Sequence, residues 1–91
     1  HMGHGHGVYI DASLKMAQRY KNLYLEMSGM PMHTKIKEAY ERVGAGRIMF
    51  GTDGPFHHPS VEMQKVIVSG LDDQALQRVF YDNAKVFFQI T

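Results

Sequence analysis

An aspartate that follows a short apolar run is the residue of this chain best placed to do chemistry. Residues 47–50 are largely apolar and are followed at once by the turn residues Gly51 to Pro55, so we interpret the run as a buried strand, although its length alone leaves a short helix open. Asp53 then lies at the C-terminal edge of a strand, where ligands bind and catalytic groups collect in parallel α/β folds. The alternative is a turn residue that accepts backbone N–H bonds, and both roles are open on these residues alone.

The second candidate for chemistry is the histidine-rich start of the chain. His1, His4 and His6 alternate with glycines and Met2, and imidazole nitrogens at this spacing can converge on a metal ion. His4 and His6 would share a face in an extended segment. Two other interpretations compete with a metal site: a flexible glycine-rich terminus, and an expression-vector remnant at His1 and Met2.

Composition limits the classes of protein to which the chain can belong. Its 91 residues are enough for one small domain or a piece of a larger one, and 44% of them are hydrophobic, as in ordinary globular proteins. A formal charge of +1 provides no electrostatic basis for binding nucleic acid or an anionic membrane. The absence of cysteine excludes disulfides and thiolate metal sites. No apolar run is long enough to span a bilayer and no signal peptide is visible, so we expect a cytoplasmic protein without a membrane partner.

The elements that would position Asp53 form a strand–helix–strand unit. Residues 22–28 are predicted to be a strand in which Glu26 is either solvated or paired at the strand end, the first being more common. Thr34 is placed to cap a helix over 34–43, and Gly44 supplies its stop. With the strand at 47–52, this unit has the length of a βαβ crossover, which makes the two strands parallel neighbours.

Helices are predicted on both sides of this unit. The spacing of apolar residues predicts one helix over 10–20 and another over 72–89 that begins at an Asp72 cap. Asn83 interrupts the apolar stripe of the last helix, so we expect its amide to tie down a neighbouring loop. Residues 60–69 are ambiguous between helix and strand, and we favour a helix capped by Ser60. The predicted fold class is therefore α/β, with two parallel strands and three to four helices.

Four motifs in order give the chain a family resemblance. They are His-Met-Gly at 1–3, Asn-Leu-Tyr-Leu-Glu-Met-Ser-Gly at 22–29, Arg-Ile-Met-Phe-Gly-Thr-Asp-Gly-Pro-Phe at 47–56 and Phe-Tyr-Asp-Asn-Ala-Lys at 80–85. Together they resemble the C-terminal part of the metal-dependent, TIM-barrel amidohydrolase-related family that includes aminocarboxymuconate-semialdehyde decarboxylase. The resemblance implies that residues 1–91 form a single unit equivalent to the end of strand 6 through the final helix of a (β/α)8-type barrel.

The resemblance also implies roles for two residues. Asp53 resembles the eighth-strand aspartate of the family, which binds the divalent metal or takes a proton from its bound water. His1 resembles the sixth-strand histidine, near the metal as general base or electrostatic partner. A metal lowers the pKa of bound water toward neutrality, so a nearby carboxylate or imidazole can accept its proton. In a complete site we expect zinc first and manganese second, with Asp53 and His1 as the ligands from this chain.

The ligands that the family carries on its first and fifth strands have no counterpart in this sequence. His4 and His6 mimic the His-x-His spacing of the first strand but stand in another place, and the family role is not carried onto them. Two protein ligands fall short of the usual three or four, so this chain alone is expected to be inactive and to lack a tight metal site.

Two functions from different classes follow from the resemblance. The chain is either the last part of a metal-dependent hydrolase or decarboxylase that acts on a small carboxylic or amide substrate, or a non-catalytic relative that self-associates through its sheet. A two-stranded parallel sheet has two outer edges, and we expect both to be open, with apolar residues around Leu23, Leu25, Ile48 and Phe50 short of partners. We therefore predict a homo-oligomer, a dimer or higher.

Overall fold

The computed structural model describes residues 1–89, which alternate helices with two short strands. In chain order the elements are α1 Gly7–Arg19, β1 Leu25–Glu26, α2 His33–Val43, β2 Ile48–Met49, α3 Pro59–Ile67, α4 Asp73–Gln77, a π-helical turn Arg78–Asp82, and α5 Asn83–Phe87. The last three follow one another without a break, so the chain has four helical bodies around one small sheet. The predicted α/β class is confirmed.

The two strands lie side by side and run parallel, as the βαβ length predicts. Leu25 pairs with Ile48 and Glu26 with Met49. Each strand has two residues, which is shorter than the predicted ranges 22–28 and 47–52. Leu25 N–H donates to the Arg47 carbonyl at 2.9 Å and Met27 N–H donates to the Met49 carbonyl at 3.3 Å, so the ladder continues just beyond the strand ends.

The helix starts differ from two predicted caps. Helix α2 begins at His33 and its N-cap is Met32, so Thr34 is inside the first turn and does not cap it. Helix α3 begins at Pro59, and the His58 ring nitrogen Nδ1 accepts the Ser60 N–H at 3.1 Å; the cap is His58 instead of Ser60. Proline suits the first helical position because it has no N–H to satisfy there. The Asp72 cap is confirmed, since its Oδ1 accepts the Ala75 N–H at 2.8 Å.

The predicted helix over 72–89 contains the π-helical turn, where the Val79 carbonyl bonds to the residue just after β2 instead of within the helix. Asn83 N–H bonds to the Arg78 carbonyl, five residues back, instead of to Val79. The Val79 carbonyl is then available to accept the Phe50 N–H at 3.0 Å. The Asn83 side chain donates to the carbonyls of Ala45 at 2.6 Å and Ile48 at 2.9 Å, which confirms its expected role in tying down a loop.

These bonds correct the expectation that both outer edges of the sheet are open. On the side of β2 away from β1, the Ile48 carbonyl and the Phe50 N–H are satisfied by the final helical stretch. Leu25 and Ile48 are also buried instead of lacking partners, whereas Leu23 remains partly exposed. The outer edge of β1 has no strand beside it within the described residues.

The core lies between the sheet and the four helical bodies. Its fully buried members include Ile10, Leu14 and Ala17 of α1 and Ile36 and Ala39 of α2, at the spacing that predicts these helices. Met2 is also fully buried, so the start of the chain packs into the core instead of forming a flexible terminus. No helix within residues 1–89 is long and apolar enough to cross a membrane.

Candidate functional site

The C-terminal edge of the two strands brings together residues that are far apart in the chain. His1 and Asp53 meet there, with their Nε2 and Oδ1 atoms 4.0 Å apart. Both side chains are partly exposed, at 38% and 29% of their maximum, so they face open space above the sheet. This is the edge at which the sequence places Asp53, and it is where parallel α/β folds bind ligands.

His1 is oriented by the residues that follow β1. Its Nδ1 is 3.0 Å from the Ser28 carbonyl and 3.1 Å from the Ser28 hydroxyl. A carbonyl oxygen can only accept, so Nδ1 carries the proton and a neutral His1 presents an unprotonated Nε2 toward Asp53. An imidazole held in this way has its free nitrogen available as a ligand or base.

Asp53 occupies a backbone conformation that few residues adopt. Its φ is +52°, in the left-handed region where aspartate and asparagine are tolerated better than other side chains. Its carbonyl accepts the Phe56 N–H at 3.1 Å, so Asp53 also takes part in the turn proposed as its alternative role. Asp53 therefore forms the turn with its backbone and presents its partly exposed carboxylate at the strand edge.

His57 is a site residue that the sequence analysis missed. Its Nε2 is 3.7 Å from Asp53 Oδ2 and its Nδ1 is 3.7 Å from Glu62 Oε1, so the ring lies between two carboxylates. The available signal was its position four residues after Asp53 in the same loop. Gly29 leaves room for the ring, because a Cβ there would come within 3.3 Å of His57 Nε2.

Beneath His57, α3 carries a buried ion pair that sequence reasoning also missed. Glu62 and Lys65 are paired, with side chains only 5% and 9% exposed. Glu62 Oε1 accepts the Gly29 N–H at 3.1 Å, and Lys65 Nζ donates to the Met27 carbonyl at 2.8 Å. The pair therefore joins α3 to the segment after β1.

The three histidines of the opening segment do not form a group that could hold a metal within residues 1–89. The His4 ring packs on the His1 ring with a centroid distance of 4.1 Å, and the His6 ring packs on Tyr9 at 4.5 Å. His4 and His6 thus make different ring contacts, and the segment turns at His4 instead of being extended, so the condition under which they would share a face is not met. His4 lies in a turn, with φ of +51°.

A groove of about 690 Å³ opens beside His57 and the buried ion pair. The loop after β1 and α3 form its walls. Apolar side chains dominate the lining, which includes Met30, Pro31, Val61 and Val68. Gln64 and His33 add polar groups. The groove is large enough for a small organic molecule.

His1 and Asp53 fit one side of a metal site. Zinc bonds to histidine nitrogen and carboxylate oxygen at about 2.0–2.2 Å, and two donors of a tetrahedral ion lie about 3.4 Å apart. The two atoms, 4.0 Å apart, would therefore approach each other by roughly 0.6 Å to share one ion. Across residues 1–89, however, no three His, Cys, Asp or Glu side chains are grouped so that they could hold an ion. The pair therefore needs further ligands to complete a site of three or four.

Comparison with known proteins agrees with this architecture. The chain is similar to a dihydroxybenzoic acid decarboxylase from Polaromonas sp. JS666, solved with bound manganese and the inhibitor 2-nitroresorcinol, with a TM-score of 0.72 and 23% sequence identity over 86% of this chain. At that identity the likeness shows the fold. This chain covers 23% of the decarboxylase chain. No curated protein matches it.

A sequence profile of the family described as Amidohydrolase matches residues 1–90. The match spans almost the whole chain and includes the strand–helix–strand unit and the edge that carries His1 and Asp53. The chain therefore belongs to the amidohydrolase family, and it folds as a partial α/β-barrel segment.

Proposed function

We propose that this chain supplies one side of the divalent-metal site of a hydrolase or decarboxylase of the amidohydrolase family. The substrate class is a small carboxylic or amide compound. The observation that carries the proposal is the 4.0 Å approach of His1 Nε2 to Asp53 Oδ1 at the C-terminal edge of the parallel strands. The remaining ligands come from the rest of a complete barrel, of which residues 1–91 are the last part. The chain on its own is inactive.

The two side chains have complementary chemistry. A divalent cation supplies Lewis acidity, which polarises a carbonyl and lowers the pKa of water. Asp53 contributes a negative charge that attracts a cation and can accept a proton. His1, protonated on Nδ1, offers Nε2 as a nitrogen donor beside the Asp53 oxygen or as a general base.

The donor types bear on the choice of metal. An imidazole nitrogen with a carboxylate oxygen suits zinc, and carboxylate-rich sites suit manganese. The decarboxylase with the similar fold binds manganese, which supports a divalent metal in the family. We propose zinc as the first candidate and manganese as the second.

Metal titration of the purified full chain tests this function. Zn²⁺ and Mn²⁺ are titrated by calorimetry into the wild type, Asp53→Asn and the matched control Asp73→Asn, which changes an exposed aspartate on α4. Loss of an outer-shell partner costs about 10–100-fold in metal affinity, so loss of a direct ligand should cost at least as much. We expect this loss in Asp53→Asn and none in Asp73→Asn.

Two outcomes would count against the proposal. Equal affinities in the three proteins would remove Asp53 from the site. A wild type without even the weak binding that two ligands provide would favour the non-catalytic, self-associating relative.

A further inference from the structure

A continuous hydrogen-bond chain connects Glu26 to His1 through Ser28. The Ser28 hydroxyl donates to Glu26 Oε2 at 2.8 Å and lies 3.1 Å from His1 Nδ1. The other carboxylate oxygen, Oε1, accepts the Ser28 backbone N–H. Ser28 is fully buried, so water does not compete for its hydroxyl, although the Glu26 and His1 side chains are about one third exposed. Of the two expected settings for Glu26, a solvated face and pairing at the strand end, the second is found.

The position of each proton in the hydrogen bonds from Glu26 to His1 follows from which groups can donate and which can only accept. The Glu26 carboxylate only accepts, so the single Ser28 hydroxyl proton points to it. The Ser28 oxygen then has only lone pairs to offer His1 Nδ1. The Ser28 carbonyl, 3.0 Å from the same nitrogen, also only accepts. Both acceptors require the proton on Nδ1, which leaves Nε2 free on the side of Asp53.

The backbone makes room for this arrangement at Gly51. A Cβ at that position would lie 2.6 Å from Glu26 Oε1 and 2.7 Å from the carboxyl carbon. Contacts this short do not occur, so any larger residue at position 51 would displace the Glu26 carboxylate from Ser28. The close approach therefore depends on a glycine in the loop that leads to Asp53.

We propose that Glu26 is a positioning residue that acts through Ser28 to hold His1 in the tautomer with Nε2 free. Because His1 matters only if it works beside Asp53, this inference rests on the proposed function. Glu26 makes no direct hydrogen bond to His1; its carboxylate is 3.9 Å from His1 Nδ1, and the Ser28 oxygen connects the two. A Glu26 that only stabilised the turn after β1 would bond to Ser28 without affecting the His1 ring.

The substitution Glu26→Gln tests this because an amide at position 26 reverses the donor and acceptor roles in the hydrogen bond to the Ser28 hydroxyl. The Ser28 backbone N–H needs an acceptor, so the amide oxygen must face it and the amide NH₂ must face the Ser28 hydroxyl. The hydroxyl then accepts from the amide and turns its own proton to His1 Nδ1. The Ser28 carbonyl still favours a proton on Nδ1, so the two neighbours of that nitrogen no longer agree and the Nε2–H tautomer gains population.

Long-range proton–nitrogen NMR spectra of the full chain report the tautomer directly when His1 is neutral. We expect Nδ1–H in the wild type and in the matched control Glu41→Gln, which changes an exposed glutamate of α2. We expect the share of the Nε2–H tautomer to rise clearly in Glu26→Gln. Gly51→Ala provides a second route, because it moves the carboxylate and keeps its charge; it should loosen the preference for Nδ1–H.

The result that would overturn the inference is an unchanged His1 tautomer in both Glu26→Gln and Gly51→Ala, with amide spectra that show a folded chain. Metal titration of the same proteins separates this from a failure of the proposed function. A tautomer that changes while Zn²⁺ and Mn²⁺ affinities do not would retain the positioning role of Glu26 and reject the metal role of His1. A His1 tautomer that stays fixed, with metal binding that depends on Asp53, would reject the positioning role of Glu26 and retain the proposed function.

Discussion

Glu62 and Lys65 form a buried ion pair one turn apart on α3, and each also bonds to the backbone that follows β1. Their partners there are the Gly29 N–H and the Met27 carbonyl. A buried charge without its partner is costly, so this pair fixes the position of α3 relative to the strand edge. His57, whose Nδ1 is 3.7 Å from Glu62, lies directly above it.

Lys65→Met should therefore destabilise the chain strongly. It keeps the apolar stem and removes the charge, so Glu62 remains buried and unpaired, at a cost of about 3–5 kcal/mol in the free energy of unfolding. Lys15→Met, at an exposed position of α1, is the control and should stay within about 0.5 kcal/mol. Urea denaturation measures both. Similar midpoints in the two variants would contradict a structural role for the pair.

Substitutions of Asp53 should separate its charge from its backbone conformation. Asparagine tolerates the left-handed φ of +52°, so Asp53→Asn should retain the wild-type thermal midpoint. Alanine does not, and Asp53→Ala should lose about 1–2 kcal/mol of stability. In a complete barrel, Asp53→Asn should remove most turnover, because the amide gives up the negative charge. Retained turnover, or a collapsed fold in Asp53→Asn, would argue against a role in the active site.

Asn83 should be a large contributor to stability. Its buried amide donates to two carbonyls, so Asn83→Ala leaves the carbonyls of Ala45 and Ile48 without that donor. We expect a loss of about 1–3 kcal/mol, and a larger loss for Asn83→Asp, whose carboxylate faces both carbonyls. Asn22→Ala, at an exposed position, serves as the control. Equal free energies of unfolding for Asn83→Ala and Asn22→Ala, measured by denaturation, would show that these bonds contribute little to stability.

A cluster on α1 and α2 should respond to acid. The hydrogen bond from Lys35 lowers the pKa of Asp11, and the hydrogen bond from Arg42, with Lys35 contributing, lowers the pKa of Glu38. Carboxyl groups with lowered pKa values stabilise the fold above their ordinary values of 3.8 and 4.5, and this stabilisation disappears as the pH falls through the lowered values.

Lys35→Gln tests the assignment of these pKa shifts. Carbon-detected NMR titration should show the pKa of Asp11 returning toward its ordinary value, and that of Glu38 moving less because Arg42 remains. The matched control Lys37→Gln lies on the exposed face of α2. Unchanged titration of Asp11 in Lys35→Gln would refute Lys35 as the cause of the lowered pKa.

We further predict that this chain is a dimer or higher oligomer in solution. The final helical stretch covers the outer edge of β2, but the outer edge of β1 has no strand beside it within residues 1–89. Phe56, Val61 and Val68 are exposed by 83%, 68% and 52%. Light scattering coupled to size exclusion measures the mass. A stable monomer at micromolar concentration would contradict the prediction.

The sequence by itself determined the elements whose signals are local. The spacing of Ile10, Leu14 and Ala17 fixes the buried face of α1, and Asp72 caps α4 because its side chain reaches an N–H three residues on. The length between the two apolar runs determined their parallel pairing. The order of the four motifs along the chain indicated the family, because that order can be read without knowing which residues are in contact.

Only the tertiary structure decided which of these pieces meet. The π-helical turn accompanies the bond from the Phe50 N–H, just after β2, to the Val79 carbonyl, a contact between distant segments that no period in the sequence reveals. The same holds for the approach of His1 to Asp53 and for the path from Glu26 to His1. Loop residues follow no regular spacing from which the direction of a side chain can be predicted. The loops converge at the edge of the sheet, so the geometry there depends on the packing of the whole chain.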